Sequence, residues 1–311
     1  MMSSIAPFLV NKLGPFVEQP KGRKKISMTL VAALSGFEGI VLFGDTEETA
    51  AEYAKKTIEK VAVYDFQDHP FRFAIGNATN EGNYADALQN EIAGRLLSFD
   101  KYDLGGIHSA LTNDLTRFYS QHIWPRAANQ PQTQYLLVLQ PLPKGDLQII
   151  YISETAVNFV AVHYKTIGVG SYFADYLFNL ALCGGDTDSL NTLLTASVYV
   201  AREVRENIAG VGPIRQIAVF MRNGEWDYVT HDDILQLEKN IEPMHEALRR
   251  AFYVATDSWI QDEDSLSEMN NTLEGIRNRQ IEWYGNWEGG RAQRKSCLPF
   301  VANRRSSGSV L

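Results

Sequence analysis

The way strand-like and helix-like apolar patterns follow one another constrains the fold of this chain more than any single motif. TLVAAL and GIVLFGD, spanning Thr29 to Asp45, are apolar and β-branched runs punctuated by Gly36 and Gly39, and they predict a hairpin. TIEKVAVYDF and FRFAIGN add two more strands. The period then changes: Ala85, Leu88, Ile92 and Leu96 recur at helical spacing, as do Leu111, Leu115, Phe118 and Ile123. Strands return with YLLVLQPL, LQIIYISE and AVNFVAVHY, the first two joined by the turn PKGD. TIGVGS leads into the helix YFADYLFNLAL, and GGDTDS supplies N-cap candidates for LNTLLTASVYVAREVREN. IRQIAVFMR and EWDYVTH flank the dipeptide Asn223–Gly224, a strong hairpin signal. Blocks of strands alternating with pairs of helices, followed by a hairpin, do not match βαβ winding. They predict an α+β fold, a four-layer αββα sandwich of two antiparallel sheets with helices outside.

Charge divides the 311 residues into a body and two ends. Residues 1–28 sum to +4 and those from Gly289 onward to +5, against −8 overall, so residues 29–288 carry −17. An acidic body argues against nucleic acid as the main partner. No run of apolar residues is long enough for a membrane span, and Ile5 to Val10 is too short for a signal peptide. Two cysteines, Cys183 and Cys297, imply no disulfide framework, which fits a reducing cytoplasm; Cys183 follows an apolar helix and is expected to be buried. The organisation expected is a basic leader, propeptide or mis-assigned start over 1–28 and a sandwich domain over 29–238. A helical C-terminal extension over 239–286 and a basic disordered tail over 287–311 follow, with amphipathic helices at roughly 233–256 and 264–283.

One set of polar residues is placed where strands of such a sandwich end. Thr29 and Asp45 are sixteen residues apart on neighbouring strands, Lys60 opens the next strand, and Gly76 closes the one after. Taken singly, each has a bland reading as a strand or turn residue, and Lys55 and Lys56 are as available as Lys60. Taken together, Thr29, GIVLFGD, Thr49, EKV with Lys60 and AIGNA with Gly76 resemble the N-terminal nucleophile hydrolases, more narrowly the proteasome β-type subunits and their bacterial relatives. The IGVGS turn, the helix near residue 200 and the RNGEWDYV hairpin extend the resemblance from about Thr29 to Glu238.

The resemblance implies a threonine peptidase. Thr29 would be the nucleophile, and its own free α-amine the base, since a threonine hydroxyl needs one. An α-amine titrates near an unperturbed pKa of about 7.7–8.0, and a neighbouring Lys60 ammonium would push it towards its neutral form. Asp45 would hold Lys60, the Gly76 N–H would face the oxyanion, and the backbones of Thr49 and Ala78 would bind a peptide as an added strand. The expected partners are a peptide or protein substrate, further copies in a homo-oligomeric ring and an unidentified regulatory partner, with no membrane and no nucleic acid. No metal or cofactor is expected, because His69, His108, His122, His163, His231 and His245 show no ligand spacing with cysteine or acid.

A free amine requires a chain that begins at Thr29. Translation from Met28 with methionine trimming would provide it, as would self-cleavage, although relatives that cleave themselves have glycine where this chain has Met28. Counting along the chain places Asn179 where relatives carry an aspartate, Leu182 where they carry a serine, and Thr133 as the hydroxyl nearest a second serine position. These departures keep two alternatives open: a non-catalytic, self-assembling scaffold, and a threonine-dependent transpeptidase.

Overall fold

The computed structural model describes residues 29–50, 54–57, 59–66, 68–79, 82–125, 130–182, 188–244, 247 and 263–290. Residues 1–28, Cys183, Cys297 and the tail from 291 lie outside them, so the expectations for the leader, the tail and the burial of Cys183 do too.

The first strand block contains β1 (Val31–Ser35), β2 (Gly39–Asp45), β3 (Glu47–Ala50), β4 (Ala54–Thr57), β5 (Val61–Tyr64) and β6 (Phe71–Thr79). Helices α1 (Gly82–Leu97) and α2 (Leu104–Phe118) follow, the latter continued by a π-helical turn, Tyr119–Ile123. Next come β7 (Thr133–Pro141), β8 (Gln148–Ser153), β9 (Ala156–Phe159) and β10 (Tyr164–Ile167), then α3 (Ser171–Ala181) and α4 (Leu190–Asn207). The hairpin β11 (Ile214–Met221) and β12 (Trp226–Val229) leads to α5 (His231–Ile241) and α6 (Glu263–Gly289).

Two five-stranded antiparallel sheets result, ordered β10-β1-β2-β11-β12 and β5-β6-β7-β8-β9, with β3-β4 as a separate two-stranded ribbon. Alternation along the strands distributes the core. Val31 and Ala33 of β1, with Ile40 and Leu42 of β2, meet Val61, Ala74 and Leu136 of the other sheet. Leu30, Ala32, Leu34, Val41 and Phe43 face α3, α4 and α5 on the opposite side. Phe73, Ile75, Tyr135 and Leu137 face α1 and α2. The layers are therefore αββα. The central strand β2 is buried along its whole length, which accounts for a continuous apolar run instead of an alternating one. No helix among the described residues is long and apolar enough to cross a membrane.

Three elements depart from the sequence expectation. AVNFVAVHY is two strands in different sheets: β9 lies beside β8, the chain crosses over at 160–163, and β10 pairs with β1 from Leu34↔Tyr164 to Val31↔Ile167. No glycine or proline interrupts the run, so the sequence does not mark the crossing. Among the described residues of TIEKVAVYDF, Thr57 ends β4, which pairs with β3, and only Val61–Tyr64 form β5. The C-terminal helix continues past Asn286 to Gly289, where the tail was expected to have begun, because Trp283 and Trp287 stack at 6.1 Å and are buried against the α3–α4–α5 layer. Replacing Trp287 by alanine should therefore cost about 3–5 kcal/mol, read as a shifted urea midpoint; an unchanged midpoint would detach α6 from the folded body.

Candidate active site

The ends of β1 and β2, the residue before β5 and the approach to β11 converge on one buried polar cluster. Pairing of β1 with β2 runs from Ser35↔Ile40 to Val31↔Gly44 and is carried one step further by Asp45 N–H donating to Leu30 O at 2.9 Å. That register sets Thr29 beside Asp45. The Thr29 hydroxyl donates to Asp45 Oδ1 at 2.6 Å, and Lys60 Nζ donates to Thr29 Oγ1 at 2.5 Å. Lys60 Nζ also donates to Asp45 Oδ1 at 2.8 Å and to Glu47 O at 2.7 Å. Thr29 and Asp45 are each 1% exposed and Lys60 5%.

Asp45 accepts five hydrogen bonds. Oδ1 takes the Thr29 hydroxyl, Lys60 Nζ and Leu30 N–H at 2.8 Å, and Oδ2 takes Glu47 N–H at 3.1 Å and Gly212 N–H at 3.0 Å. A buried carboxylate is tolerable when paired and fully bonded, and this one is both. The backbone of Thr29 is held as tightly. Gly170 N–H donates to Thr29 O at 3.2 Å, and Gly168, at φ +94°, lies so close that a Cβ there would stand 2.3 Å from Thr29 O. Glycine alone tolerates both that backbone and that approach.

Gly76 occupies a different place from the one expected for an oxyanion donor. Asn77 N–H donates to Lys60 O at 3.0 Å, so in a regular strand the groups of Asn77 and Thr79 face the β5 side. Those of Gly76 and Ala78 face β7, opposite Leu136 and Gln134. The Gly76 amide expected to face an oxyanion, and the Ala78 backbone expected to bind a peptide, thus turn towards β7 and not towards the side on which β5 ends. Strand parity is the reason: one position turns every backbone group to the other side. What Gly76 contributes is closeness, since a Cβ there would lie 2.6 Å from Val31 Cγ1, two residues from Thr29. Thr49 sits in β3, opposite Lys55.

Three residues counted towards the site lie elsewhere. Asn179 is exposed near the end of α3, and Leu182 is buried in the apolar layer beneath the helices. Thr133 bonds the Tyr119 hydroxyl at 2.5 Å on the α2 side of the other sheet. Instead, glycine amides surround Thr29 and Asp45, and Gly168, Gly170 and Gly212 leave only their glycine-rich context as a sequence signal. Among the described residues no three His, Cys, Asp or Glu side chains gather as for a metal ion.

The fold is a proteasome-like αββα sandwich, with the polar cluster of Thr29, Asp45 and Lys60 at one end of its strands. Comparison with solved structures gives Anbu proteins as neighbours in fold. A mutant Anbu from Hyphomicrobium sp. strain MC1 superposes with a TM-score of 0.58 at 15% identity, covering 72% of this chain and 96% of its own. Anbu from Yersinia bercovieri, described as an ancestral β-subunit, gives 0.55 at 14% identity over 72% and 96%. The Anbu complex from Pseudomonas aeruginosa, a helical assembly, gives 0.53 at 12% identity over 89% of this chain and all of its own. No protein-family model matches the chain, and neither does any curated protein.

The cluster makes two stability predictions. Asp45→Ala strands the Lys60 ammonium and three backbone N–H groups, and should cost about 3–5 kcal/mol, whereas Thr29→Ala removes one hydroxyl and should cost about 1 kcal/mol. Urea unfolding of both variants measures the gap, and equal losses would mean that Asp45 does not organise the site. Gly76→Ala should cost about 1–3 kcal/mol by forcing Val31 aside, measured in the same way.

Proposed function

We propose that this protein is a threonine-nucleophile amidohydrolase acting on peptide bonds, with Thr29 as the nucleophile once it carries a free α-amine. The observation that supports this above all is the buried contact of Lys60 Nζ with Thr29 Oγ1 at 2.5 Å, beside Asp45. Lys60 as an ammonium has no lone pair to accept a proton, and Asp45 already accepts five donors. The base is therefore the amine of Thr29 itself, reached directly or through a water.

The amine takes the hydroxyl proton as Oγ1 bonds to the substrate carbonyl carbon. The resulting ammonium returns that proton to the leaving nitrogen as the C–N bond breaks, leaving an ester on Thr29. Water adds to the ester with the amine again as base, and the acid is released as Oγ1 regains its proton. Lys60 stabilises the developing negative charge on Oγ1, and Asp45 fixes Lys60 and the hydroxyl. The peptide adds as a strand beside β6 beyond its last pairing with β5, with Thr49 of β3 supplying backbone contacts.

Self-assembly belongs to the same reading. Tyr172, Tyr176 and Leu180 form an exposed apolar stripe along α3, 68%, 60% and 68% accessible, suited to burial against further copies. The scaffold reading draws on the 1% exposure of Thr29 in a chain where Met28 precedes it.

A chain beginning at Thr29 and one retaining residues 1–28 should be treated with an electrophilic β-lactone and mapped by mass spectrometry. One acyl group on Thr29 of the shorter chain is expected, absent from the longer one, and formed about 100-fold more slowly in Lys60→Ala. No adduct on a shorter chain that still assembles would favour the scaffold. Amide products formed with an added amine acceptor, in place of acid, would favour the transpeptidase.

A further inference from the structure

We infer that Gln134 is a positioning residue for Thr29, acting through the Gly168 turn; this rests on the amidohydrolase reading. Thr29 is seated on a turn that follows β10. Gly170 N–H holds its carbonyl at 3.2 Å, and a side chain on Gly168 would meet Thr29 O at 2.3 Å and Thr29 Cγ2 at 2.7 Å. A small movement of that turn therefore moves the nucleophile against Lys60 and Asp45.

The turn is held at its far end by Ser171 N–H donating to Gly168 O at 3.1 Å. Its near end lies beyond the last β1–β10 pair, Val31↔Ile167, so the ladder supplies no partner for Gly168 N–H. The partner comes from the opposite sheet: Gln134 of β7 accepts that N–H on Oε1 at 3.2 Å. Gly168 N–H can only donate, so it requires the oxygen of the Gln134 amide to face it. The other half of the amide donates from Nε2 to the Tyr151 hydroxyl at 3.1 Å, which anchors the amide in the orientation that Gly168 N–H demands. Tyr151, on β8, is in turn backed by Lys165, whose Nζ lies 4.6 Å from the ring centroid. Lys165 belongs to β10, three residues before Gly168, so the chain of contacts leaves β10 and returns to it. Gln134 thus ties the turn under Thr29 to the second sheet without bonding Thr29 itself.

The test uses the chain that begins at Thr29, with Gln134→Leu, Gln134→Glu and Tyr151→Phe. Leucine keeps the volume and removes both bonds. Glutamate keeps an acceptor for Gly168 N–H. Three quantities are measured: amide hydrogen exchange at Gly168, the rate of Thr29 acylation by the β-lactone, and the melting temperature. Gln134→Leu should speed Gly168 exchange about tenfold and slow acylation about tenfold or more, as a displaced reacting atom does. Gln134→Glu should restore both to within about threefold of wild type, whatever its melting temperature, an outcome that simple sheet-to-sheet packing does not predict. Should Gln134→Leu not fold, Tyr151→Phe removes only the contact that anchors Gln134 Nε2 and should shift both rates the same way by about threefold. Unchanged exchange in Gln134→Leu, or faster exchange with unchanged acylation, would overturn the assignment, as would failure of glutamate to rescue. The two readings fail differently: an unlabelled wild type sinks the amidohydrolase, whereas a labelled wild type matched by Gln134→Leu sinks only the role of Gln134.

Discussion

The Asp45 carboxylate is the interaction on which this end of the molecule depends. Two oxygens collect donors from the head of β1, the link into β3, the residue before β5 and the loop before β11. β2 is the middle strand of its sheet, bonded to β1 on one side and β11 on the other, so a charge at its end reaches both neighbours. Lys60 adds the second sheet, because Lys60 O receives Asn77 N–H and Val61 begins β5. A buried ion pair of this kind is seldom a large source of net stability, yet losing one member is costly. The five donors to Asp45 meet in the observed register, in which Asp45 N–H bonds Leu30 O.

The surrounding layers convert that register into position. Apolar faces of period two fill the space between the sheets, and helices of period 3.6 close both outer faces. Missing side chains matter as much as those present. Gly76 lets Val31 approach across the sandwich, and Gly168 lets a turn approach Thr29 from beside β1. Both are exchanges of stability for geometry, since glycine in ordered backbone carries an entropic cost.

Much of this was legible in the sequence, and the boundary between legible and hidden has a physical origin. Thr29, Asp45 and Lys60 were readable because each lies at a strand end whose apolar run could be counted, and antiparallel neighbours then meet. The αββα layering was readable because blocks of strands and pairs of helices succeed one another in an order that βαβ winding does not produce. Backbone amides were not readable: Gly170 and Gly212 act through N–H groups that every residue but proline possesses. The parity of Gly76 and Ala78 was hidden because β6 is buried on both faces, so hydrophobicity does not say which way a backbone group turns. Counting Asn179 and Leu182 into the site assumed that α3 ends near Thr29, whereas it is the start of α3, after the Gly168 turn, that does.

The bare Cα of Gly168 has a consequence for the choice between the two hydroxyl amino acids. The methyl of Thr29 points into the volume that a side chain on Gly168 would occupy, 2.7 Å from the nearest position such a carbon could take. β-Branched residues are already stiff about χ1, and here the methyl has a matching recess. It acts as a keel, holding the side chain in one rotamer with its oxygen between Asp45 and Lys60. Serine would present the same oxygen without the keel, held in its staggered well only by the bonds to Asp45 and Lys60. The recess thus selects threonine over serine by shape, at a position where the chemistry of the hydroxyl would accept either.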